Sequence, residues 1–420
     1  MLPMEKTLDY RTQTNFMLSF LILAVYPPSM VDHRRIAIYL GSFIGPLSGN
    51  AVLSLVPSLM ILFKASASEI LASITFFMLP FATFMLFSGT LSDIIGRKRV
   101  LSFGFMIYAL GSILTGSSTS LWYFYAARTI TGLGFAFVQP VLMAMLGDIV
   151  PYQERGRAMG FLGAATTAGI ALGPFLAGYM SIINWRLTFF IIAVLALGIW
   201  VWVIITCEDI YRKRTQPHFR AFLNTLGIGL HEPSLLILAA TGFTTFLCYI
   251  GTQSFLSATV SAPPLLLSEE NIGLILSSAG LAGIFSAPVG GKMVDKWGAV
   301  YTAILGYLIM FSAFLIMSFA GSMIDYILSL IILGSGTAIV WASLLSIAVS
   351  ILNNLKGTSS SIFNSARFLG YAFAPIFFTP IYVNLGFDAV NLTSASLALM
   401  AIVMLWLAER IKRRSPILPM

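Results

Sequence analysis

Twelve apolar stretches, each close to the length that crosses the hydrocarbon layer of a bilayer, run through this 420-residue chain. A spanning helix needs about 20 mostly apolar residues, because a rise of about 1.5 Å per residue has to cover about 30 Å. The stretches fall at 36–62, 70–91, 99–118, 121–146, 157–181 and 187–206, and again at 234–258, 271–290, 299–319, 325–350, 358–383 and 389–408. Between the two sets lies 207–233, which carries Glu208, Asp209, Arg212, Lys213, Arg214, Arg220 and Glu232. Lipid offers the backbone no hydrogen-bond partner, so each stretch must pair its own amides as a helix. The predicted class is an all-α polytopic membrane protein with twelve transmembrane helices. Composition agrees: 58% of the residues are hydrophobic and 10% charged, too few charges to coat a soluble domain.

The net charge of +8 would suit a nucleic-acid partner if the basic residues formed one face. They sit instead in short clusters between apolar stretches, so nucleic-acid binding is set aside. With the N-terminus inside, twenty of the 24 Lys and Arg fall on the cytoplasmic side, two (Lys64 and Arg186) outside, and two (Arg128 and Arg367) within helices. That asymmetry predicts a multi-pass protein of the cell membrane with both termini cytoplasmic. Residues 1–35 are predicted to be a cytoplasmic or interfacial extension. Phe16 to Val25 is too short to span and Pro27 and Pro28 end it, so the extension reads as dispensable ahead of Met30. The remaining units are a bundle at 36–206, a cytoplasmic linker at 207–233, a bundle at 234–408 and a tail at 409–420.

Cys207 and Cys248 offer neither metal spacing nor a disulfide framework, and His33, His218 and His231 lie outside the spans without a ligand partner. No metal and no cofactor are expected. There is no G-x-x-x-x-G-K-[ST] loop, which removes ATP as a direct energy source. No His or carboxylate lies at membrane depth to serve a nucleophile or a metal, so an enzyme is not expected.

The two halves repeat at one offset. Gly89, Asp93 and Gly96 recur as Gly291, Asp295 and Gly298, 202 residues on; Gly132 and Gly134 recur as Gly334 and Gly336 at the same interval; Gly173 and Pro174 answer Ala374 and Pro375 at 201. Small residues in apolar runs are common because they let helices approach, but three coincidences at one offset mark parallel duplicates. The expected architecture is two pseudo-symmetric six-helix bundles with a substrate site near the midplane between them.

The run Gly89, Asp93, Gly96, Arg97, Lys98 and Arg99 resembles the signature of the major facilitator superfamily between its second and third helices. Arg128 with Gly132 and Gly134 is similar to that superfamily's helix-four motif. Gly169, Gly173, Pro174 and Gly178 resemble its antiporter motif in helix five, with Ala177 in place of one glycine. Asn364, Arg367 and Gly370 resemble a helix-eleven pattern of drug exporters. The resemblance covers the chain after about residue 35 and implies a monomeric secondary transporter that exports small amphipathic compounds in exchange for protons. It implies a cytoplasmic latch of Gly89, Asp93, Gly96 and Arg97, closing on Asp148 and on the start of helix eleven near Gly357, with Arg155 as a further switch residue. The antiporter motif would shape the outer seal, Pro174 bending its helix.

An intramembrane Arg costs about 2.5–3.5 kcal/mol on insertion scales, so Arg128 and Arg367 are expected to face a cavity or a partner; Arg128, seven residues into its helix, is placed to snorkel in part. By depth, Asn50, Gln139, Gln253, Trp341, Asn364 and Tyr371 are candidates to contact a substrate. The chain departs from many proton-driven exporters in one respect: no Asp, Glu or His lies centrally in any span, and Asn50 stands where helix one of such exporters has a carboxylate. Two buried cations without buried anions leave a second reading open, a carrier of organic anions with Arg128 and Arg367 as fixed charges.

Overall fold

The computed structural model describes residues 32–151, 154–207, 219–352 and 355–414. The extension up to residue 31 and the tail beyond 414 lie outside the described residues. The elements are α1 (His33–Ser54), α2 (Val56–Phe63), α3 (Ala67–Ile95), α4 (Arg97–Ser117), α5 (Leu121–Ala136), α6 (Gln139–Ile149), α7 (Arg155–Ser181) and α8 (Arg186–Thr206). They continue as α9 (Phe219–Leu230), α10 (Pro233–Ser261), α11 (Glu269–Trp297), α12 (Ala299–Met317), α13 (Met323–Ile351) and α14 (Lys356–Arg414).

Four spans are not the single straight helices that the sequence suggests. The first breaks at Leu55 into α1 and α2. Pro57, which has no amide hydrogen, stands in the first turn of the new segment. The fourth breaks between α5 and α6 at Phe137 and Val138, with Pro140 in the first turn beyond. The last two run together as α14, whose 59 residues include Gly386 at φ 82°, ψ −176°. That glycine divides α14 into two crossings, because an unbroken helix of this length would be more than twice the thickness of a bilayer.

The duplication extends into local geometry that motif spacing does not display. Ser66 and Ser268 cap α3 and α11; Ser120 and Ser322 cap α5 and α13; Gly96 and Gly298 end α3 and α11 at φ 108° and 85°. Each pair is 202 residues apart. A serine side chain that accepts an amide bond fixes where a helix starts, and a glycine at positive φ fixes where it stops. Packing repeats as well. A side chain on Gly132 would run into the Phe77 carbonyl and one on Gly334 into the Ala279 carbonyl, again at an offset of 202.

Within the N-terminal half α1 packs on α7 and α8, α3 on α5, and α4 on α5 and α8; within the C-terminal half α10 packs on α14, α11 on α13, and α12 on α13 and α14. The halves meet along two seams, α7 against α11 and α3 against α14. The stretch 207–233, read as a polar linker, contains α9. Its Leu226 joins a small apolar cluster with Leu235, Ala239 and Ile362, so part of this stretch is held against the start of α14. Seven charged residues in that stretch mask the short apolar face in any count of composition.

Candidate functional site

The ends of α4, α7, α11 and α14 that carry Arg97, Arg155, Lys296 and Lys356 are termed the basic end; Lys64 and Arg186 mark the far end. Along both seams the halves touch from the far end to the middle. In the α7–α11 seam a side chain on Gly178 would meet the Glu269 carbonyl, and Gly280 abuts Ala171. The amide of Ser58, in the first turn of α2, donates to Glu269 Oε1 at 2.6 Å. In the α3–α14 seam Thr75 Oγ1 donates to the Ala372 carbonyl (2.6 Å) and Ser365 Oγ to the Ala82 carbonyl (2.7 Å). At the basic end, a side chain on Gly89, Gly160, Gly291 or Gly357 would enter open space.

Of the predicted latch, the part within the N-terminal half is formed. Arg97 Nη2 pairs with Asp148 Oδ2 at 2.8 Å and with Asp93 Oδ1 at 3.4 Å. Gly96 supplies the turn that places Arg97 one residue into α4. Gly89 and Gly357, where the two halves would close on each other, are apart from any neighbour. Arg155 is exposed and directs Nε to the Val150 carbonyl at 3.4 Å. Sequence reasoning missed Arg35, counted only as a cytoplasmic charge, which pairs with Glu154 at 2.9 Å and ties the start of α1 to the start of α7.

The antiporter-like glycines divide between two neighbours. Gly169 and Gly173 face the Phe43 and Leu47 carbonyls of α1, and Gly178 faces α11. Pro174 leaves its own carbonyl to Ser54 Oγ at 2.9 Å. A small-residue face is what lets three backbones meet here.

Arg128 does not snorkel. It is 0% exposed, with Nη1 held by the Ser48 carbonyl (3.2 Å) and Ser48 Oγ (3.1 Å) and the guanidinium 4.4 Å from the centre of the Phe77 ring. Its Nε and Nη2 have no hydrogen-bond partner among the described residues. The helix carries it into the bundle because Gly132, one turn on, brings α5 against α3. Arg367, 7% exposed, lies among Phe368, Phe246 and Trp341 at 4.3, 4.8 and 5.0 Å from the ring centres.

The six candidate contact residues separate into two groups. Asn50 and Tyr371 are buried against each other, the phenol donating to Asn50 Oδ1 at 2.7 Å across the two halves, and Gln253 is buried with a long bond to the Tyr249 carbonyl. Gln139, Trp341 and Asn364 are half-buried. Gln139 Nε2 reaches Thr166 Oγ1 at 3.5 Å, Asn364 Nδ2 donates to the Ser360 carbonyl at 2.9 Å, and the Trp341 ring lies against Gly163 of the other half. Among the described residues no cluster of His, Cys, Asp and Glu could hold a metal.

A sequence profile of the Major Facilitator Superfamily matches residues 38–375 and, a second time, 246–420. The chain belongs to the Major Facilitator Superfamily. It is a membrane transporter, not an enzyme. Among members of the superfamily, the multidrug resistance protein MdtG of Escherichia coli is 29% identical over 361 residues, 83% of this chain and 86% of that protein. The crystal structure of the human organic anion transporter MFSD10 superposes with a TM-score of 0.71 at 20% identity, covering 90% of this chain and all of that one. A bacterial homologue of the human lysosomal transporter Spinster, crystallised inward-facing and unoccupied, gives 0.72 at 15% identity, covering 92% and 99%. Both structural likenesses concern the fold.

Proposed function

We propose that the chain exports small amphipathic compounds by alternating access, driven by proton entry, from a central site between two bundles at 36–206 and 234–408. The observation that carries this reading is the unequal seam: carbonyl-to-glycine contact and hydrogen bonds toward the far end, open space at four glycines of the basic end. Charge placement makes the basic end cytoplasmic, so this state would load from the cytoplasm. The relationship to MdtG supports drug-like cargo.

In the reverse state the halves would close at Gly89 and Gly357, with Asp93, Arg97, Asp148 and Arg155 forming the inner latch, and part along Gly169, Gly173, Pro174 and Gly178. The Asn50–Tyr371 bond joins the two halves and would have to exchange as they rock. Gln139, Trp341 and Asn364, with Gln253 behind them, would offer a few polar contacts on an otherwise apolar surface. Arg128 and Arg367 supply the intramembrane charge. With no central carboxylate, the proton would travel by way of Asp93 and Asp148 at the inner rim; Glu69, at the far rim, is taken up by the Ser66 cap. The transporter would act as a monomer in the cell membrane with cytoplasmic termini.

Purified protein in proteoliposomes is expected to move tetraphenylphosphonium against its gradient when a pH gradient is imposed, and to dissipate that gradient as it does so. No movement with either polarity of the gradient would sink the proposal.

A further inference from the structure

We infer that the aromatic cage around Arg367 is an anion subsite, and that the preferred cargo is a monoanion, a carboxylate carried on a flat aromatic body. The inference rests on the transport reading above and names its substrate class.

Four observations converge. The guanidinium of Arg367 lies over the rings of Phe368, Phe246 and Trp341. Rings offer a cation their negative faces, but they accept no N–H bond of ordinary strength, so the cage holds the charge without neutralising it. Arg367 Nε and Trp341 Nε1, both shielded from solvent, have no hydrogen-bond partner among the described residues. The guanidinium lies over the Trp341 ring, 5.0 Å from its centre. Two shielded donors in one cage, neither with an acceptor, favour an acceptor from outside the chain, and an anionic one gains most beside a guanidinium.

The cage also stands where cargo must pass. Trp341 on α13 faces Gly163 on α7, and Phe368 on α14 meets Phe81 on α3 edge-on at 4.7 Å. The cage therefore reaches α7 and α3 of the other half, and its members Trp341 and Phe368 are half-buried. The chain supplies no carboxylate at this depth to compete for Arg367. A ring carboxylate would place its oxygens on Arg367 and the Trp341 N–H, and slide its body among the aromatics that now cover the cation. Arg128 is a poorer candidate, because it is sealed from solvent and already donates to Ser48.

The test is equilibrium binding to the full-length protein in nanodiscs, with 2-naphthoate and its neutral analogue 2-naphthamide as probes. Naphthoate is expected to bind at least tenfold more tightly than naphthamide. Arg367→Gln should bring the two to within about twofold, and Arg367→Lys should restore part of the preference, which a purely structural role would not do. Trp341→Phe, which keeps a ring and removes the donor, should weaken naphthoate about threefold. Equal affinities in the unmodified protein, binding of neither probe, or a preference that survives Arg367→Gln would each overturn the inference. Tetraphenylphosphonium transport, measured in parallel, separates the two proposals. Its presence without a naphthoate preference removes only the anion subsite; its absence with that preference intact removes proton-driven export of amphipathic compounds and leaves the anion subsite standing.

Discussion

Asp93 and Asp148 share Arg97, yet they stand differently toward it. The 2.8 Å bond to Asp148 binds α4 to the end of α6, while the 3.4 Å contact with Asp93 stays within one turn. Both carboxylates are about a third or more exposed, so neither pair contributes more than about 1 kcal/mol to folding. Asp93→Asn is accordingly expected to leave the thermal midpoint within about 2 °C and to lower transport at least fivefold, as read by midpoint and vesicle flux on one preparation; unchanged flux would remove Asp93 from the latch. Arg128 behaves in the opposite sense. A guanidinium with two nitrogens unpaired in a dry interior burdens the fold. Arg128→Met should raise the thermal midpoint by several degrees while abolishing transport, and a lower midpoint would show that the Ser48 bonds outweigh that burden. Both arginines stood out in the sequence as charges in apolar runs. Their surroundings did not, because Ser48, Phe77, Phe246 and Trp341 lie on other helices and nothing in local spacing brings them near.

At the scale of the element, glycines do two kinds of work that sequence alone runs together. Gly132 and Gly334 seat one helix on the backbone of another, while Gly89 and Gly357 meet nothing in this state. Gly132→Val is expected to reduce folded yield and lower the midpoint, since the Phe77 carbonyl would have to move. Gly89→Val should leave both unchanged and still stop turnover by blocking closure at the basic end; comparing size-exclusion yield with flux separates them. The twelve spans and their order were legible because hydrocarbon thickness sets length and loop charge sets phase. The breaks at Leu55 and at Phe137 were not, although Pro57 and Pro140 stand just beyond them. A proline within an apolar run reads equally as a bend, as Pro174 does inside α7. The helix α9 was hidden for the simpler reason that it is only 12 residues long and its neighbours are charged.

For the whole molecule, the seal from the far end to the middle joins the two halves through groups that belong largely to the backbone: the Ser58 amide, and the Ala82 and Ala372 carbonyls. Glu269 is the charged side chain in this set. Glu269→Gln keeps its shape and weakens its bond by about 1 kcal/mol, which favours opening of the far end roughly fivefold. Spin labels on Arg157 and Lys292, at the basic ends of α7 and α11, should then report a larger short-distance population than in the unmodified protein; an unchanged distribution would show that the seal does not depend on this carboxylate. The 202-residue repeat bears on how such a protein diversifies. It governs the serine caps, the terminal glycines, the helix-seating glycines and the Asp93–Asp295 pair, but it stops at the intramembrane charges, since Arg128 corresponds to Leu330 and Arg367, at the 201 spacing, to Thr166. A duplicated frame with unduplicated contents allows a lineage to change what the centre binds one side chain at a time, with the machinery of motion inherited whole.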